Sequence, residues 1–204
     1  MSKKTSPKGL SGFLFGDFTD YVNTLKPLYV ICLFLFTFSL VTGYYLGDNV
    51  SQEQLEELLG SFPDPNEMDL FGLLSFIIVN NVSKSLVFML AGFILGIPPL
   101  FFTVLNGFFI GWIVLTFGND YGFFFVTVGL LPHGIIEIPA ILLSMAMGMG
   151  LGYSLINRLR GKSGLVRDFR SAIGLYMRTL VPMLFFSAVI EVTITPFLAS
   201  LVLG

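Results

Sequence analysis

The chain's one histidine, His133, lies in the apolar run LLPHGIIEIPAILLSMAMGMGLG (130–152), with Glu137 four residues on, and a second apolar run near the C-terminus carries Glu191. Imidazole and carboxylate exchange protons, bind cations and ligate divalent metals such as zinc. In hydrocarbon an ionised side chain costs roughly 2.5–3.5 kcal/mol on insertion scales, so each must face protein or water. The spacing shows how they do so. His133, Glu137, Ala140, Ser144, Gly148 and Gly152 recur at steps of three or four and share one helical face, with Ile135, Ile138, Leu142, Met145 and Met149 opposite. Ser187, Glu191 and Thr195 repeat at fours. Thr103, Gly107 and Gly111 align, with Asn106 beside them, and Asn81 and Ser85 precede Gly92 and Gly96. A polar stripe continued by small residues is a helix-packing face.

The expectation is one intramembrane polar cluster, toward the outer half, built from Asn80 or Asn81, Asn106, His133, Glu137 and Glu191. With no basic residue expected at that depth, ionising both carboxylates at once is costly. Three uses compete for the cluster. One imidazole and two carboxylates suit a divalent metal, but the zincin pattern needs a second histidine on the same helix, which argues against an intramembrane metalloprotease. A proton- or ion-coupled transport site is the second. A hydrogen-bonded network that fixes helix packing is the third; at ~0.6 kcal/mol per interhelical bond it would act for specificity more than strength. No serine stands beside a base at a recognisable spacing and no glycine loop could cradle phosphate. The chain therefore reads as a non-enzyme that needs no cofactor.

The elements that hold these residues must be membrane helices. Charged residues make up 12% of the chain, against about 25% in soluble domains, hydrophobic ones 54%, and mean hydropathy is +0.85. The runs are continuous, not alternating, which excludes a β-barrel. Cys32, the lone cysteine, allows neither a disulfide framework nor a zinc site and reads as a packing or lipid-facing residue. The fold class is all-α, a polytopic membrane protein with spans near 28–47, 81–98, 99–118, 133–156 and 179–203. The first run is span-length with no small-residue cleavage site after it, so it is expected to stay as a helix.

Charge sets the expected orientation. Apart from Lys84, placed near the outer end of the second span, every Lys and Arg lies in residues 1–27 or in the basic loop 157–178, while loop 48–69 is acidic. Positive charge favours the cytoplasmic side. This gives a multi-pass protein of the cell membrane with its N-terminus inside and C-terminus outside. Residues 10–25 form an amphipathic pattern expected to lie along the inner interface as part of a 1–27 segment, ahead of a membrane domain over 28–204. SQEQLEELLG has a capping-box pattern for a short outer helix. Tyr121–Ile156 is too long for one straight span, at ~1.5 Å per residue. Pro132 suggests a break there, with an outer half-helix over 122–131. A second half-helix before Asn80-Asn81 would complete a parallel internal repeat.

The NN at 80–81, the NG at 106–107 followed by Gly111, and PHGIIEIPA at 132–140 resemble the stage II sporulation protein M family of membrane proteins, over residues 28–203. Asn80, Asn81, Asn106, Gly107, Pro132, His133, Gly134, Glu137 and Pro139 stand at its motif positions. The resemblance implies a multi-span helical protein; the family's sporulation member is a non-enzymatic scaffold that assembles a peptidoglycan-remodelling complex. It assigns none of these residues to catalysis, and carrying over the scaffold role is family analogy. The expected partners are the lipid bilayer, an unidentified membrane or extracytoplasmic protein and a further copy of the chain, with no nucleic acid. The topology is testable: a compartment-sensitive reporter fused after Gly204 should be active outside the cell and the same reporter before Met1 inside it, and the reverse pattern would reject the charge argument.

Overall fold

The structure, a computed structural model, describes residues 10–47 and 68–203, and the side chains of 21–47 and 68–201. The expected outer helix SQEQLEELLG and nearly all of the acidic loop lie outside these residues. The described residues contain no strand. They form α1 (Leu10–Leu46), α2 (Leu70–Leu90), α3 (Ile97–Tyr121), α4 (Phe123–Leu159), α5 (Leu165–Leu175) and α6 (Val181–Leu203). A 3-10 turn, Ala91–Phe93, extends α2, and a π-helical turn, Tyr176–Leu180, joins α5 to α6. Five stretches are long and apolar enough to cross a bilayer: Tyr21–Leu46, Leu70–Phe93, Ile97–Tyr121, Phe123–Leu159 and Leu165–Leu201. Phe34, Phe38, Phe71, Phe101, Phe124 and Phe186 point outward, the surface expected of a protein solvated by acyl chains. The chain is a multi-pass, all-α membrane protein.

Several expected boundaries move. Neither half-helix exists. α2 starts at Leu70, where Asp69 caps it by accepting a hydrogen bond from the Gly72 amide at 2.9 Å, and runs through Asn80 and Asn81 unbroken. α4 runs through both Pro132 and Pro139. Each proline removes one amide donor, leaving the carbonyls of Val128 and Ile135 without their usual partners, a loss that membrane helices tolerate where neighbouring groups compensate. At 37 residues α4 is about 55 Å long, so it must tilt or project beyond the hydrocarbon. The reversal falls instead at Gly122, whose φ of 91° favours glycine, leaving a single residue between α3 and α4. Without the breaks, the proposed repeat loses the half-helix of each unit.

The basic segment before α6 is more helical than expected, and α1 reaches into the first one. α1 is continuous through Pro27, and its Tyr21 and Leu25 are buried in a core cluster with Met147, Leu151, Tyr176 and Leu180. The 157–178 segment contains the end of α4, a turn and all of α5. The π turn leads directly into Pro182: Val181 bonds back to the Tyr176 carbonyl, and the proline that follows has no amide to offer.

α4 is the axis of the bundle and touches every other described helix. On the face opposite Glu137, Leu142 and Met145 are buried against α1 and α3, while Ile135 is exposed. Sequence periodicity gave α4 a single packing face; a central helix needs more than one. Glycines set the approach of the neighbours. A Cβ on Gly107 would strike Ser39 Oγ and the Phe36 carbonyl, and one on Gly111 the Leu40 carbonyl, while Gly43 meets the Phe108 carbonyl from the other side. Gly92 and Gly148, and Gly96 and Gly152, bring α2 onto α4 in the same way. Cys32 is fully buried between these helices, near Thr103 and Met149. Because the obstacles are backbone, Gly111→Leu or Gly148→Leu should lower stability by about 3 kcal/mol, whereas Gly129→Ala, with open space around it, should be neutral or add up to about 1 kcal/mol. Thermal unfolding in detergent measures both, and equal effects at the two kinds of site would refute the close-approach account.

Candidate functional site

The site forms where the upper half of α4 lies against α6. His133 and Glu137, one turn apart on α4, meet Glu191 of α6. One ligand atom from each, an imidazole nitrogen and two carboxylate oxygens, lies within 4.8 Å of the others, and all three residues are partly buried. The neighbours on α6 are hydroxyls. Ser187 Oγ lies 3.3 Å from both Glu137 Oε2 and the His133 carbonyl oxygen, and His133 Nδ1 is 3.5 Å from Thr195 Oγ1. The Ser187–Glu191–Thr195 stripe therefore meets the His133–Glu137 stripe as spacing required.

The hydrogen bonds of the asparagines are local. Asn80 Nδ2 donates to Asn81 Oδ1 at 3.3 Å. Asn81 is buried on the α2 face that packs against α6 through Ile77, Ala188 and Val192. Asn106 donates 2.8 Å to the Phe102 carbonyl of its own helix, and α3 packs chiefly on α1 and α4. Gly107 and Gly111 serve the α1–α3 contact. Gly134 and Pro139 line an apolar groove of about 440 Å³ with Ile110, Val114 and Leu130, on the α3 side of α4. Pro132 precedes His133 within the helix and supplies no ligand atom.

Sequence reasoning misplaced or missed two polar residues inside the bundle. Lys84 is mid-span, not at the outer end, because α2 begins eleven residues earlier than the span expected from Asn81. It lies within the span Leu70–Phe93, so a basic residue does belong inside the bundle's membrane-crossing part. Tyr176, in the π turn, donates to the Val82 carbonyl at 2.5 Å, and its hydroxyl sits 2.9 Å from Ser85 Oγ, tying α2 to the base of α6. Pro182, a few residues on, was the available signal for an irregular turn there.

Two carboxylates this close repel when both are charged, so a proton or a cation between them stabilises the pair. Imidazole with two carboxylates also suits zinc or manganese. A tetrahedral ion bound at ~2.1 Å needs ligand atoms ~3.4 Å apart, so the side chains would have to close by roughly 1 Å.

Fold and site together define a multi-pass membrane protein with an ionisable cluster inside its helical bundle. The chain belongs to the stage II sporulation protein M family, whose model matches residues 32–196. Two similar proteins come from Methanocaldococcus jannaschii, both uncharacterised. MJ0706 is 30% identical over 139 residues, 68% of this chain and 61% of that protein; MJ0793 is 28% identical over 185 residues, 88% and 99% respectively. This chain thus spans less than two thirds of MJ0706. No solved structure matches.

If Glu137 and Glu191 share one site, their neutralisations are coupled. Glu137→Gln and Glu191→Gln together should depart from the sum of the single effects by about 0.5–3 kcal/mol. Additive shifts in unfolding free energy, measured in detergent, would mean the two carboxylates do not interact.

Proposed function

We propose that this chain is a non-enzymatic membrane scaffold, an assembly partner for another membrane or extracytoplasmic protein, whose α4–α6 packing depends on a proton or cation held by His133, Glu137 and Glu191. The convergence of these three groups within 4.8 Å, with Ser187 and Thr195 bonded around them, is the observation that carries the reading. An interface containing two carboxylates closes when their charge is compensated and loosens when it is not. Such an interface can be tuned without chemistry. The family's sporulation member supports the scaffold part of the proposal by analogy.

A second reading has its own observation. Ionisable residues within spans commonly mark ion pathways, and Lys84 adds a basic residue within the α2 span. This favours a small channel or secondary transporter that uses the same cluster. The two readings separate in one pair of measurements. For a scaffold, proteoliposomes of the wild-type chain carry no proton or cation flux above protein-free vesicles, and Glu137→Gln weakens recovery of the wild-type chain's co-purifying partners severalfold. Flux that Glu137→Gln abolishes, with assembly intact, would reject the scaffold in favour of transport.

A further inference from the structure

The intramembrane cluster holds its imidazole apart from its carboxylates. His133 and Glu137 of α4 and Glu191 of α6 each bring one ligand atom within 4.8 Å of the others. Yet among the described residues no hydrogen bond or ion pair joins the imidazole to either carboxylate. A proton shared between imidazole and carboxylate would draw the two to about 2.7–2.9 Å. Fixed charge does not compensate the pair either: among the described residues no Lys or Arg lies within salt-bridge distance of Glu137 or Glu191. Three donor atoms set around one point, two of them on acids, suit a cation between them. An ion at the centre of three atoms no more than 4.8 Å apart sits at most about 2.8 Å from each, the separation divided by √3. A shift of less than ~1 Å per side chain brings these atoms to the ~2.1 Å of a metal bond.

Charge and donor type narrow the ion. Two ionised carboxylates beside a neutral imidazole carry two negative charges. A monovalent ion leaves one of them uncompensated inside the bundle, and a divalent ion leaves none. Magnesium and calcium take oxygen ligands, and magnesium keeps much of its water. Imidazole beside carboxylate instead suits zinc and its transition-metal neighbours. The flanking hydroxyls fit the same use. Ser187 Oγ donates to Glu137 Oε2 at 3.3 Å, and Thr195 Oγ1 stands 3.5 Å from His133 Nδ1. Contacts of this kind, one step outside the ligand atoms, orient the ligands of a metal. All three ligand residues are partly buried, so the site is not sealed. Cys32 is not among them: it is buried near Thr103 and Met149.

We propose that His133, Glu137 and Glu191 bind one divalent transition-metal ion of the zinc type, and that this ion joins α4 to α6. The assignment rests on the reading of the cluster as the element that holds those two helices together, and it names what the cluster holds. His133 and Glu137 come from successive turns of α4 and Glu191 from α6. The ion is therefore a cross-link that neither helix completes alone. Three protein ligands leave a further position for water.

Calorimetric titration of the chelator-treated full chain in detergent with zinc, magnesium and calcium tests this. One zinc ion should bind per chain, with magnesium and calcium weaker by about a hundredfold or more. Zinc at a hundredfold excess over its Kd should raise the unfolding midpoint by about 5–10 °C. His133→Ala and Glu191→Gln each remove a ligand and should weaken zinc about a hundredfold, whereas Ser187→Ala, which keeps all three ligands, should weaken it about tenfold. X-ray absorption at the zinc edge of the loaded wild-type chain needs no variant to fold, and it should show imidazole and oxygen ligands without sulfur. Zinc bound no tighter than magnesium, zinc affinity unmoved by Glu191→Gln, or a sulfur-ligated spectrum would overturn the assignment. Absence of zinc binding, with partner recovery still weakened by Glu137→Gln, would overturn the metal and leave the scaffold. Zinc binding with recovery unmoved by Glu137→Gln would keep the metal and overturn the scaffold.

Discussion

Hydrocarbon can solvate neither a peptide group nor a carboxylate, and nearly every feature of this molecule answers to that. The backbone closes its hydrogen bonds within long helices, which persist through proline because breaking them in lipid would expose still more polar groups. Glu137 and Glu191 meet the same demand through side chains. They turn toward each other, toward His133 and toward the hydroxyls of Ser187 and Thr195. Lipid is as apolar as leucine, so burial alone cannot draw these helices together. What does so is close contact between backbones.

Glycine provides that contact at two seams. Gly43, Gly107 and Gly111 let α1 and α3 touch main chain to main chain, and Gly92, Gly96, Gly148 and Gly152 do the same for α2 and α4. α4 thus carries two kinds of packing along its length. Its upper half meets α6 through ionisable and hydroxyl groups, and its lower half meets α1, α2 and α3 through small and sulfur-bearing side chains such as Met145, whose sulfur lies 2.9 Å from Thr103 Oγ1. The polar half can change with protonation or cation occupancy while the glycine-packed half holds the bundle.

Legibility differed by kind of feature. The pairing of Glu137 with Glu191 was readable because both lie on polar stripes at helical spacing, and a charged residue in a span has few directions open to it. Asn80, Asn81 and Asn106 were less legible, because an asparagine can satisfy itself locally, with its neighbour or with the carbonyl four residues back. Lys84 was misplaced because the span boundary was set at the Asn80-Asn81 pair, which a helix absorbs without breaking. A cavity beside Tyr21 was invisible, since it joins residues 21–28 to residues 150–168, far apart in the chain.

The amino-acid order by itself determined that this is a multi-pass helical membrane protein and which faces carry polar or small side chains, because apolar run length and a 3.6-residue period are local properties. Only the tertiary structure decided that α4 is the central helix, that Pro132 lies within it, and that Tyr21 and Asp168 share one cavity. Those depend on which helices stand next to each other, and that is settled by the fit of side chains and backbones across the whole bundle.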